Sequence, residues 1–214
     1  MGACAAALLG RLLGRIARLY RDIKGYVRIL DAKSIARRMF VTNSFDGLLS
    51  ALGVVLGSFI GGVTNPISYV GSVVGASFSM GFFSGFVATY LSERAERLRE
   101  LRKTERVMAH PLRGSVYEKA AKMVPLYVAL WSGIGAIALP TIGISPFIVA
   151  AFAGVKAPIP MLVYASAAIM VAELFMLGVY LGKVSGENVL VSGARLALIG
   201  LAAVAFFTLV SLVR

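Results

Sequence analysis

Two carboxylates stand where an ionised carboxylate is expensive. Asp46 lies in the apolar run 41–63 and Glu173 in the run 159–181, each about as long as one bilayer-crossing helix. At ~1.5 Å per helical residue, Asp46 is roughly 8 Å and Glu173 roughly 12 Å from the basic-flanked ends of those runs. Side chains that short do not reach water from such depths. A charge there is tolerated only if a cation, a hydrogen-bond partner or water meets it. No apolar run has Lys, Arg or His in its interior, and Arg38, at an edge, is the nearest basic group to Asp46. The missing countercharge points to an ion or proton pathway and a transported cation. Glu173 has a second explanation, a protonated side chain hydrogen-bonded to a neighbouring helix.

Similar depths let Asp46 and Glu173 converge in a helical bundle, and Met80, roughly 16 Å from the basic end of the run 67–91, adds a thioether. Carboxylate oxygen together with thioether sulfur suits a divalent transition metal ion such as Fe²⁺ or Mn²⁺. Ordinary core packing is the alternative for Met80. Just beyond that run, Glu93, Glu96 and Glu100 are spaced by three and four, which puts them on one helical face able to collect divalent cations. Arg97 and Arg99 stand at similar spacing, so a solvated, ion-paired face is the competing reading.

The elements that must position these groups follow from composition. Of 214 residues, 58% are hydrophobic and only 15% charged, with mean hydropathy +0.84, which excludes an ordinary soluble domain. The expected fold is all-α, a polytopic membrane protein with five transmembrane helices. Residues 1–40 form a basic amphipathic cytosolic segment, in which Leu8, Leu12, Ile16 and Leu19 oppose Arg11, Arg15, Arg18 and Arg21. That segment lies on an anionic membrane face or docks on the protein's own cytosolic parts. Residues 41–91 hold the first two spans, joined by the Thr64-Asn65-Pro66 turn, and 92–122 form a charged cytosolic helical insert. Residues 123–213 hold three more, at 123 onward, 159–181 and 196–213. The third apolar stretch meets Pro140, Gly143 and Pro146, so it kinks or ends in an interfacial segment.

The 22 Lys and Arg cluster at 11–38 and 94–122, with Lys183 and Arg195 as a smaller pair and Lys156 and Arg214 apart. By the positive-inside rule the N-terminus is cytosolic and the C-terminus outside. The net charge of +12 therefore flanks membrane segments, and a nucleic-acid partner is not expected. One cysteine, Cys4, and one histidine, His110, leave no internal disulfide and no cysteine or histidine metal cage. With no base near a nucleophile in any span, the chain is not expected to be an enzyme, and no cofactor is expected. Glycines at four-residue intervals, as in Gly53, Gly57 and Gly61 or Gly178, Gly182 and Gly186, suit close helix packing, within the chain or across a dimer. The absence of Gln suits a thermophilic prokaryote, and hence its plasma membrane.

The stretch FVTNSFDGLLSALGVVLGSFIGG, followed by GASFSMGFFSGFVATYLSERAERLRE, resembles the vacuolar iron transporter family. The matching features are Asp46-Gly47 in the first span, Ser79-Met80 in the second, and the exit Ser92-Glu93-Arg94-Ala95-Glu96. The resemblance covers residues 38 to 213 in layout, while its specific motifs are confined to the first two spans and their exit. It implies a homodimer that moves Fe²⁺, and often Mn²⁺, out of the cytosol in exchange for protons, with Asp46 and Met80 on the route. It also implies that Glu93 and Glu96, and less directly Glu100 and Glu105, receive the ion first. The sequence departs from the family where a second-span Glu usually follows Ser-Met, since Phe83, Ser84 and Gly85 stand there, and in its shorter insert. Glu173 matches no family motif; it is a candidate to replace that carboxylate. The expected function is export of a divalent transition metal as substrate, and the competing one is a non-transporting membrane scaffold that binds lipid.

Overall fold

The computed structural model describes residues 25–154 and 157–212. The basic amphipathic segment expected before residue 25, along with Cys4, Lys156 and Arg214, lies outside them. Among the described residues the regular structure is helical, and five helices are long and apolar enough to cross a membrane. We number them in chain order: α1 (Ala32–Ile60), α2 (Pro66–Met108), α3 (Val116–Gly143), the short α4 (Ser145–Phe152), α5 (Ile159–Ser185) and α6 (Val189–Leu212).

Local chemistry sets the ends. α1 gives way to Gly61 and Gly62, the latter at φ +78°, and the Asn65 side chain accepts from the Ile67 N–H at 3.1 Å while Pro66 opens α2. α2 then continues without interruption through the hydrocarbon-length stretch into the charged exit, the helical insert read from the sequence. Ser115 caps α3 by accepting from the Glu118 N–H at 3.1 Å, and Glu118 reaches back to the Gly114 N–H at 2.7 Å. Hydrogen bonds from Lys122 and Gly114 hold the Glu118 carboxyl below its ordinary pKa. α3 tolerates Pro125 and Pro140, ends at Gly143, and turns at Ile144 into α4, which begins with Ser145 and Pro146. The stretch at 140–153 is therefore a span end followed by a short helix, the arrangement its prolines required.

The helices meet through small residues. A Cβ on Gly47 of α1 would lie 2.9 Å from the Ala136 carbonyl of α3, and one on Gly135 would meet Ser44 and Phe40. Gly81 and Gly85 of α2 abut Gly133 and Ile137 of α3, and Gly178 and Gly182 of α5 abut Ser192 and Gly193 of α6. Lipid tails are as apolar as leucine, so this close backbone approach supplies the association energy. A central cluster joins Leu48, Leu52 and Val55 of α1 to Tyr69 and Val73 of α2, Phe147 of α4, and Met170 and Leu174 of α5. Phe147 anchors α4 there by stacking on Tyr69 at 4.3 Å, while the Tyr69 hydroxyl donates to the Val63 carbonyl at 2.8 Å.

The charged segments collect at one end. Asp31, the α2 exit at Arg97 and Lys103, and Tyr117 of α3 line one cavity; Arg37 and Arg38 of α1 line another with Leu181 and Val184 of α5. The α5–α6 turn, with Arg195 bound to Glu187 at 3.3 Å, completes that end.

Candidate membrane-embedded polar path

Asp46 is exposed on the outer side of the bundle. Its neighbour explains why: Gly47 is pressed against Ala136 and Pro140 of α3, and Leu48 is fully buried, so the preceding side chain is turned away. Arg38, Thr42, Asp46 and Ser50 follow one another at four-residue intervals, and all four are exposed, forming a polar stripe along α1. Among the described residues Asp46 has no hydrogen-bond or ion-pair partner, and Arg38 does not reach it.

A matching stripe runs along α2, where Ser68, Gly71, Ser72, Gly75 and Ser79 are exposed, and it ends at half-buried Met80. A Cβ added to Gly71 or Gly75 would meet nothing. α1 and α2 are antiparallel across a short turn, and Asp46 and Met80 each lie about 21 Å along their helices from it at ~1.5 Å per residue. The two residues therefore share one depth. Met80 also opens a segment, Met80–Ala88, in which the helix widens to i→i+5 hydrogen bonding, a distortion that recurs at functional sites. Helical periodicity carries no sign of that widening. Glycines 81 and 85, pressed against α3, are the signal that could have drawn attention to it.

Glu173 occupies the same layer but faces the other way. Its Oε2 is buried without a hydrogen-bond partner and lies 3.1 Å from the Cβ position of Gly143, next to Met170. Gly143 is one turn beyond Pro140, so Gly47, the neighbour of Asp46, and the Glu173 carboxylate meet α3 one turn apart. One chain does not bring Asp46 and Glu173 together. Nor, among the described residues, does any group of three His, Cys, Asp or Glu stand ready to hold a metal ion.

The exit glutamates share a helical face with arginines that pair with them. Arg97, with a side chain only 10% exposed, lies between Glu93 at 3.7 Å and Glu100 at 2.6 Å. Glu96 is exposed and faces Arg99 at 3.7 Å. All three carboxylates expected to gather cations are thus matched to arginines, the ion-paired alternative that their spacing also allowed. A polar chain also crosses the bundle, in which the Asn43 amide donates to Ser132 Oγ at 2.8 Å and Ser132 lies 3.2 Å from Thr89 Oγ1. Its members are single polar residues on three helices, so spacing within the sequence could not link them.

Among known proteins, the chain is similar to an uncharacterized protein of Methanocaldococcus jannaschii, 29% identical over 182 residues, which are 84% of this chain and 90% of the relative. No family model and no solved structure matches.

Proposed function

We propose that the chain is a transporter of divalent transition metal ions, Fe²⁺ or Mn²⁺, that works as a homodimer and exports them from the cytosol in exchange for protons. The observation that carries this reading is Asp46, a carboxylate set in a membrane span, exposed on the bundle's outer face and without a partner among the described residues. Facing hydrocarbon, that carboxylate is strongly unfavourable. Facing the same stripe of a second copy, it becomes one wall of a closed polar path, with Ser50, Ser79 and Met80 as further oxygen and sulfur donors. The glycines along α2 allow the close approach such a seam needs.

In this arrangement two Asp46 carboxylates and two Met80 thioethers replace part of the ion's water shell, a donor set suited to Fe²⁺ or Mn²⁺. No covalent step is needed. The basic end of the bundle faces the cytosol by the positive-inside rule, and the C-terminus faces out. Glu93, Glu96 and Glu100 then stand at the cytosolic entrance, and an ion received there displaces the arginines now paired with them. Glu173 is the internal carboxylate available to carry a proton. The membrane is the prokaryotic plasma membrane.

Uptake of Fe²⁺ and Mn²⁺ by proteoliposomes of the native protein, under reducing conditions and with or without an imposed proton gradient, tests the reading. Flux that responds to the gradient is the expected result. Folded protein that moves neither ion would favour a non-transporting scaffold.

A further inference from the structure

A second constellation sits apart from Asp46, at the basic end of the bundle. Lys33, Arg37 and Phe40 of α1, the first two one turn apart, line a cavity of about 450 Å³ together with Tyr127 and Trp131 of α3 and Tyr180 of α5. Trp131 is held as one wall by edge-to-face contacts with Phe40 at 6.0 Å and Tyr127 at 6.5 Å. The Lys33 ammonium, the Arg37 guanidinium, the Trp131 indole N–H and both tyrosine hydroxyls have no hydrogen-bond or ion-pair partner among the described residues. A pocket so rich in donors and carrying two positive charges is suited to an anionic, oxygen-rich occupant.

Position says which one. Tyr180 is one turn before Lys183, and Tyr127 is little more than one turn past Lys122, so the cavity lies where charged segments give way to hydrocarbon-length helix. Tyrosine and tryptophan belong to that boundary because one end of each ring system is apolar and the other polar. Trp131 and Tyr180 are 44% and 42% exposed on the bundle's outer side, open to lipid. A free anion would use the two cations and leave the aromatic walls without a role. A phospholipid uses both.

The geometry points to a binding site for the headgroup of an anionic phospholipid. Its phosphate sits between Lys33 and Arg37, where a guanidinium offers paired donors to phosphate oxygens, and its glycerol and upper acyl chains rest against Phe40, Trp131 and Tyr180. The site is separate from the proposed ion path and stands whether or not the protein transports metal.

Trp131 is the only tryptophan in the chain, so its fluorescence reports on this cavity alone. The full-length protein would be placed in phosphatidylcholine bilayers containing phosphatidylglycerol with brominated acyl chains, and quenching would be competed with unbrominated lipid of either headgroup. The expected result is preference for phosphatidylglycerol over phosphatidylcholine of about fivefold for each basic residue engaged. The preference disappears in the Lys33→Gln/Arg37→Gln variant and persists in Arg102→Gln/Arg106→Gln, which removes equal charge from the α2 exit. Inorganic phosphate does not relieve the quenching. Equal quenching by both brominated lipids in the native protein, or unchanged preference in Lys33→Gln/Arg37→Gln, would overturn the proposal. Relief by inorganic phosphate would overturn it too, by assigning the pocket to a soluble anion. Equal quenching by the two brominated lipids in the native protein overturns the proposal even if the variant folds poorly.

Discussion

Asp46 owes its orientation to the residue that follows it. Because Gly47 lets α1 lie against the backbone of α3, the carboxylate is turned to the outside of the bundle, at the depth of Met80. Glu173, one turn of α3 away, keeps a carboxylate oxygen buried without a partner. If it carries the exchanged proton, Glu173→Gln will flatten the pH dependence of metal flux, measured in vesicles across a pH series, while the variant still binds metal. Unchanged flux and pH dependence would leave Glu173 a structural acid. At the exit, Arg97 pairs with both Glu93 and Glu100. Arg97→Gln removes the competing cation, so Mn²⁺ should bind the exit several-fold more tightly by electron paramagnetic resonance titration. Weaker or equal binding would show that these glutamates serve only the ion pairs.

At the scale of elements, glycines sort into two groups that differ in what a methyl group would meet. Gly178→Ala would push a Cβ to 2.5 Å from the Ser192 carbonyl, so it should destabilise the α5–α6 pair by about 1–3 kcal/mol, seen as a lower melting temperature in detergent. Gly71→Ala, with open space around it, should leave the melting temperature unchanged in monomeric protein. Equal effects would mean that the two faces are packed alike. The helices themselves were legible: apolar runs of bilayer length, the Asn65-Pro66 turn and the break near Pro140 to Pro146 all appear as read. Their limits shift where amphipathic extensions join, as at α1, which begins at Ala32 among basic residues rather than at Val41. The faces were not legible. In lipid the outward side of a helix is as apolar as the inward side, so periodicity does not say which way Asp46 points or which glycines touch a neighbour. The widened helix at Met80–Ala88 and the Asn43–Ser132–Thr89 chain depend on which helices become neighbours, information carried by no single segment.

Among the described residues the molecule is polarised along its long axis. Charge gathers at one end, and a polar stripe on α1 and a small-residue stripe on α2 are exposed on the flank among the described residues. A second copy placed there would bring α1 of each chain together. In a Cys4→Ser background, Ser50→Cys should therefore form an intermolecular disulfide in the membrane on mild oxidation, while cysteine at lipid-facing Leu198 should not; the reverse pattern would move the seam elsewhere. The central claim is that Asp46 lines the route of a transported metal ion. Its most direct test compares Fe²⁺ and Mn²⁺ flux through reconstituted native protein and Asp46→Ala, matched for melting temperature and oligomeric state. The account predicts robust flux in the native protein and none above empty vesicles in the variant; equal flux in both would contradict it.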